Sequence, residues 1–175
     1  MMDDDAYLVR PFDPAIDMGA LLELLNGAAQ YLRSKGVLQW DEFMREDIEN
    51  DVIAGNAIFL VIDRHSADLV GTFSLKPQDE LQWTDDDPAE SPKTAYFYRY
   101  SVHPNHLGKN VGGRIFLAIE AHVRHALQIQ RLRLDCWAGN MKLRSYYHEQ
   151  GFHHLGDQPE VDYHVSLFEK DWSKL

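Results

Sequence analysis

Apolar residues recur along this chain in two rhythms, one with the 3.6-residue period of a helix and the other with the two-residue period of a strand. "AYLVRPF" opens in the strand rhythm. Leu21, Leu24, Leu25, Ala28 and Leu32 then share one helical face, and Gly36 marks its stop. "VLQW" leads to "DEFMREDIENDVIAGN", where Met44, Ile48 and Val52 recur four residues apart and predict a second helix. "AIFLVIDR" is a continuous apolar run, and Leu69, Gly71, Phe73 and Leu75 alternate in "LVGTFSL"; with "HSAD" between them, the two predict a hairpin. Residues 77–93 are rich in proline and carboxylates and have no period, which predicts a long acidic loop between strands. "TAYFYRYSVHP" is the next strand. A glycine-containing turn then opens a helix with Val111, Ile115, Ala118, Ile119 and His122 on one face. "RLRLDCWAG" alternates, "NMKLRSYYHEQG" predicts a short helix ending at Gly151, and "FHHLG" and "VDYHVSLFE" supply two last strands. The expected order is β α α β β β α β α β β. One central strand–helix–strand crossover within that order predicts a mixed α/β fold with helices on both faces of a mixed sheet.

The 175 residues fall within the usual range of one domain, so a single domain spanning residues 1–175 is expected. No segment has the apolar length that a membrane helix needs, and the acidic start "MMDDDAYLVRPF" lacks the basic and apolar regions of a secretory signal. Cytoplasmic residence is the expectation. Cys136 is the only cysteine, which rules out an intramolecular disulfide. Seventeen basic against twenty-eight acidic side chains give a net charge of −11, which disfavours nucleic acid and anionic membranes as partners and favours a cationic one. Solubility alone also accounts for such a charge.

The turn "HLGKNVGG" directly before a helix is the stretch with the clearest chemistry. The first amides of a helix have no partner within it, and the helix dipole favours an anion there, so glycines that allow close approach suggest a phosphate site. Two common phosphate patterns do not fit. A Walker loop needs GxxxxGK followed by Ser or Thr, and a dinucleotide fingerprint needs GxGxxG after a first strand, whereas the glycines here are Gly108, Gly112 and Gly113. Other residues admit ordinary readings. Tyr96, Tyr98 and Tyr100 share a strand face by period two and suit an aromatic stripe. Arg133 and Asp135 share a strand face as an ordinary ion pair would. His122 with His125, and His153 with His154, lack a third partner at a metal-site spacing, so no metal is expected. Cys136 has no activating motif and reads as core.

With "YSVHP" before it, a helix directly after it and "NMKLRSYYHEQGF" some thirty residues on, the turn resembles the acetyl-CoA site of the GNAT superfamily of N-acetyltransferases. The family's turn carries Arg or Gln, two residues, Gly, one residue, then Gly or Ala; here Leu107 and Asn110 depart from the first two signature positions and Gly112 matches the third. The resemblance implies a mostly antiparallel central sheet and acetyl transfer from acetyl-CoA to a primary amine of a small molecule or peptide by direct attack. It also assigns roles. Leu107, Gly108, Lys109, Asn110, Val111, Gly112 and Gly113 would hold the coenzyme A pyrophosphate, and the backbone of Tyr100 and Val102 would pair with the pantetheine arm. Asn140 would cap its helix and contact the cofactor, and Tyr147, four residues before "GF", would protonate the departing thiolate. Trp40, Asp41, Glu42 and Tyr98 would edge an acceptor groove, and no metal is implied. Two rival readings are a coenzyme A-binding sensor or interaction domain of the same fold without turnover, and a nucleotide-binding module. A monomer and a homodimer are both compatible.

Overall fold

The computed structural model describes residues 6–77, 93–108 and 110–174. Most of the loop expected over residues 77–93 lies outside these, as does Lys109. The elements are β1 (Tyr7–Pro11), α1 (Met18–Ser34), α2 (Arg45–Ile53), β2 (Ala57–Asp63), β3 (Leu69–Lys76), β4 (Thr94–Val102), α3 (Val111–Ala121), β5 (Arg131–Trp137), α4 (Met141–Glu149), β6 (His153–Pro159) and β7 (His164–Asp171). Their order is the one the periodicities predict. Two short elements are additional: a 3-10 turn at Pro104–His106 and a π-helical turn at His122–Ala126 that continues α3.

Seven strands follow the order β1-β2-β3-β4-β5-β7-β6, so the fold is a mixed α/β sheet in which antiparallel pairing dominates. β1 runs antiparallel to β2 from Tyr7↔Asp63 to Pro11↔Phe59. β4 and β5 pair in parallel over Thr94↔Arg131 to Tyr96↔Arg133, as the helical crossover between them requires. β7 pairs antiparallel with both β5 and β6, and the β6 register slips between His154 and Gly156.

The chain divides into two compact units, Met1–Ser74 with Arg99–His122, and Leu75–Tyr98 with Val123–Leu175. In the first, Met18, Leu21 and Leu25 of α1, Ile48 of α2, and Ile58 and Leu60 of β2 form a closed apolar cluster flanked by Phe12, Phe43 and Leu69. The α1 stripe is therefore the core face its period indicated, although Leu32 near its end is only half-buried. α2 differs from expectation. It starts at Arg45, because the Asp47 carboxylate accepts the Met44 N–H at 2.7 Å and so ends the extended approach there. Met44, at the N-cap, and Val52, in the last turn, face out, and Ile48 alone of the three is buried.

In the second unit the buried set includes Leu132, Leu134 and Cys136 of β5, Tyr147 of α4, Phe152, and Leu167 and Phe168 of β7. Cys136 is core, and burial pushes its thiol up to about 12. The Arg133 Nε donates to Glu169 at 2.8 Å across the β5–β7 ladder, and Asp135 accepts the Tyr96 hydroxyl. A directly opposed residue on the next strand is a close neighbour, which favours the Arg133–Glu169 pair.

Candidate active site

The turn after β4 is built around one unusual residue. Asn110 occupies the N-cap of α3 with φ 57°, a left-handed conformation that glycine adopts freely and that asparagine tolerates best among other residues. The departure at this signature position thus preserves the backbone shape that a glycine would give. Two glycines flank it for different reasons. Gly108 has φ +103°, and a Cβ on Gly113 would stand 2.6 Å from the Asn110 Oδ1, so the asparagine side chain fits only because position 113 has none.

The two helix starts contrast. At α4, the Asn140 Oδ1 accepts the Leu143 N–H at 3.0 Å, an ordinary N-cap. At α3 the Asn110 side chain makes no capping bond, and its amide folds over Gly113. Val111 N–H turns back to the Gly108 carbonyl at 3.0 Å and Arg114 N–H to Asn110 at 3.2 Å. Val111 and Gly112 are half-buried, Gly113 is buried, and Leu107 is exposed. Where the family carries Arg or Gln, Leu107 can offer no hydrogen bond.

The end of β4 is tied to this helix start within the first unit. The Tyr100 hydroxyl donates to the Gly112 carbonyl at 3.1 Å and its ring packs edge-on to Phe116 at 6.0 Å. Val102 is half-buried, and His103 N–H donates to the Val70 carbonyl at 2.8 Å. The expected tyrosine stripe does not run the length of β4. Arg99 has φ 52°, so the side-chain alternation breaks between Tyr98 and Tyr100. Before the kink, the Lys76 ammonium lies over both the Tyr96 ring, at 4.9 Å, and the Tyr98 ring, at 5.4 Å.

Trp40, Asp41 and Glu42 precede α2 rather than belonging to it. Trp40 is half-buried with its ring edge-on to Phe43 at 5.7 Å, and the carboxylates of Asp41 and Glu42 are exposed. Asn26 of α1 holds Phe43 by both main-chain groups, donating to its carbonyl at 3.0 Å and accepting its N–H at 2.8 Å. Sequence reasoning passed over Asn26 and Arg99, because nothing in a helix stripe or a strand run marks a polar residue as a clamp on a distant segment.

In the second unit, Tyr147 is 6% exposed and its ring packs on Phe152 at 5.7 Å and Phe168 at 5.8 Å. Burial first, and the neighbouring Cys136 next, push its phenol far above the usual tyrosine range. Tyr146 is half-buried beside it, ring centres 5.5 Å apart. Among the described residues no group of three or more His, Cys, Asp or Glu side chains could hold a metal, and no described helix is long and apolar enough to cross a membrane. His122 is held against Phe59 at 5.2 Å, and His154 lies 2.9 Å from Asp157.

The model of the acetyltransferase (GNAT) family matches residues 25–152, which include the turn, α3 and α4. The uncharacterized N-acetyltransferase YesJ of Bacillus subtilis is 29% identical over 165 residues, covering 90% of this chain and 88% of its own. A GNAT family acetyltransferase from Listeria monocytogenes shares the fold with a TM-score of 0.70, at 24% identity and 94% coverage of both chains. YncA of Salmonella typhimurium, solved with its cofactor acetyl-CoA, superimposes with a TM-score of 0.64 at 16% identity, covering 96% of this chain and 95% of its own. A family model that spans most of the chain, with the expected element order around it, makes this protein a member of the GNAT family of N-acetyltransferases.

Proposed function

We propose that the protein transfers acetyl from acetyl-CoA to a primary amine of a small molecule or peptide by direct attack, within one domain spanning residues 1–175. The observation that carries this reading is the Asn110 N-cap, whose left-handed backbone keeps the turn that a glycine would give at the start of α3, where the helix dipole favours an anion. The pyrophosphate of coenzyme A is that anion, held by the main chain from Leu107 to Gly113 with Lys109 adding charge, and Asn140 serves as a cap. The pantetheine arm runs along the backbone of Tyr100 and Val102 as an added strand. The neutral amine attacks the thioester carbonyl, a C–N bond forms as the C–S bond breaks, the nitrogen loses a proton to water, the thiolate sulfur takes one from Tyr147, and the phenolate regains its proton from water. Trp40, Asp41, Glu42 and Tyr98 line the acceptor side. The net charge of −11 and the exposed carboxylates at 41, 42 and 46 favour a cationic amine.

Release of free thiol from acetyl-CoA against a panel of amines tests the reading. Turnover with a cationic amine is expected, with acceptor KM rising with salt and the acetyl-CoA KM changing less. Coenzyme A binding without thiol release for any amine would favour a sensor, and binding of ADP as tight as that of coenzyme A a nucleotide module.

Position 110 gives a second expectation. Asn110→Gly should keep coenzyme A affinity within about twofold, since it retains the left-handed backbone, whereas Asn110→Ala should weaken binding by about 1 to 2 kcal/mol through the backbone strain that a Cβ brings there. Calorimetric titration of both variants checks this, and equal affinities would remove the conformational argument.

A further inference from the structure

We propose that Arg99 is a positioning residue for the amine acceptor, acting through its ion pair with Asp51 and its stacking on Phe43. The inference rests on the transferase reading above. The starting observation is a misfit: Arg99 takes φ 52° in the middle of β4, a conformation that arginine rarely adopts and that glycine or asparagine would take more easily. Its side chain accounts for the choice. The guanidinium lies 2.5 Å from the Asp51 Oδ2, with both side chains 16% exposed, and 5.3 Å over the Phe43 ring. Neither glycine nor asparagine reaches either partner.

The other ends of these contacts are fixed as well. Asp51, near the end of α2, accepts a second bond from Asn56 Nδ2 at 3.2 Å, so both carboxylate oxygens are engaged. Phe43 has its main chain held by Asn26 and its ring against Trp40. Residues 37–44 have no regular secondary structure and therefore no ladder of backbone bonds to hold them. Side-chain clamps do that work, and Arg99 is the clamp that reaches from β4. One residue later the Tyr100 hydroxyl binds the Gly112 carbonyl in the first turn of α3. The kink thus links the segment carrying Trp40, Asp41 and Glu42 to the strand end and helix start assigned to the cofactor. A small displacement of an acceptor wall lowers the fraction of encounters in attacking geometry without altering cofactor contacts.

The test uses the full-length protein and the variants Asp51→Asn, Arg99→Met and Arg99→Lys. Losing the pair should raise the acceptor KM about tenfold or more, and leave the acetyl-CoA Kd within about twofold. Amide hydrogen exchange over residues 38–43 should speed up about tenfold while that of α3 is unchanged. Arg99→Lys should recover part of the KM, and Asp51→Asn combined with Arg99→Met should be no worse than either alone, as for members of one interaction. Asp51→Asn preserves shape and decides the matter should Arg99→Met not fold. Acceptor KM and segment exchange both unchanged in an active Asp51→Asn enzyme would overturn the proposal alone. A wild-type protein that neither binds acetyl-CoA nor releases thiol would instead refute the transferase reading, and any acceptor role with it.

Discussion

Tyr147→Phe is expected to fold normally and bind acetyl-CoA nearly as the parent does, yet to lose on the order of 10- to 1000-fold in kcat, the usual worth of a general acid. The ring is what the fold uses: it packs between Phe152 and Phe168, and phenylalanine fills the same space. Only the hydroxyl is removed. Burial holds the phenol above its ordinary range, so Tyr147 keeps its proton throughout the working pH range, and the same burial makes it a weaker acid until charge develops on the departing sulfur. The loss should therefore be the same at every pH, with the rise of rate from amine deprotonation unaltered and no alkaline limb from this tyrosine. Tyr146→Phe should cost much less, since adjacent helical residues point about 100° apart. Single-turnover acetyl transfer is the proper measurement, because slow product release would mask the chemical step. Full single-turnover activity in Tyr147→Phe would show that the proton comes from solvent.

Arg131→Met should destabilise the protein by about 1 to 3 kcal/mol at pH 7, because it takes the buried cation from the Asp171 carboxylate, while Glu169 keeps Arg133. Arg131 is 8% exposed, and its Nε lies 3.4 Å from Asp171, its cross-strand partner in the β5–β7 register, and 3.8 Å from Glu169. Burial alone would raise the Asp171 carboxyl, but the Ser173 hydrogen bonds and the charge of Arg131 together hold it below its ordinary value. A depressed carboxyl contributes stability above its unfolded pKa, about 3.9, and that contribution is lost as pH falls through the folded value. The gap between parent and variant should therefore be widest near neutrality and narrow below about pH 4. Urea unfolding at pH 7 and pH 4 measures it. A gap below about 1 kcal/mol at pH 7 would mean that the carboxylates find solvent or other cations.

Local periodicity determined the element order here, because each helix stripe and strand alternation is written within a dozen residues. The turn before α3 was legible for the same reason: its glycines and the helix they open are contiguous in the chain. Tyr147 could be separated from Tyr146 by its distance to Gly151 and Phe152 alone. Tertiary structure decided what depends on partners far apart in the chain. Met44 and Val52 matched a helical stripe with Ile48, yet the Asp47 bond to Met44 N–H leaves Met44 outside α2 as its N-cap, and of the three only Ile48 is buried. Arg133 reaches Glu169, thirty-six residues on, because the register of β7 sets that carboxylate opposite it. Asn110 looked like a loss at a glycine position until its positive φ showed that the backbone shape had been kept. Arg99 carried no signal at all. A strand pattern predicts alternation, and only the packed fold determines where alternation breaks and which side chain compensates the strain.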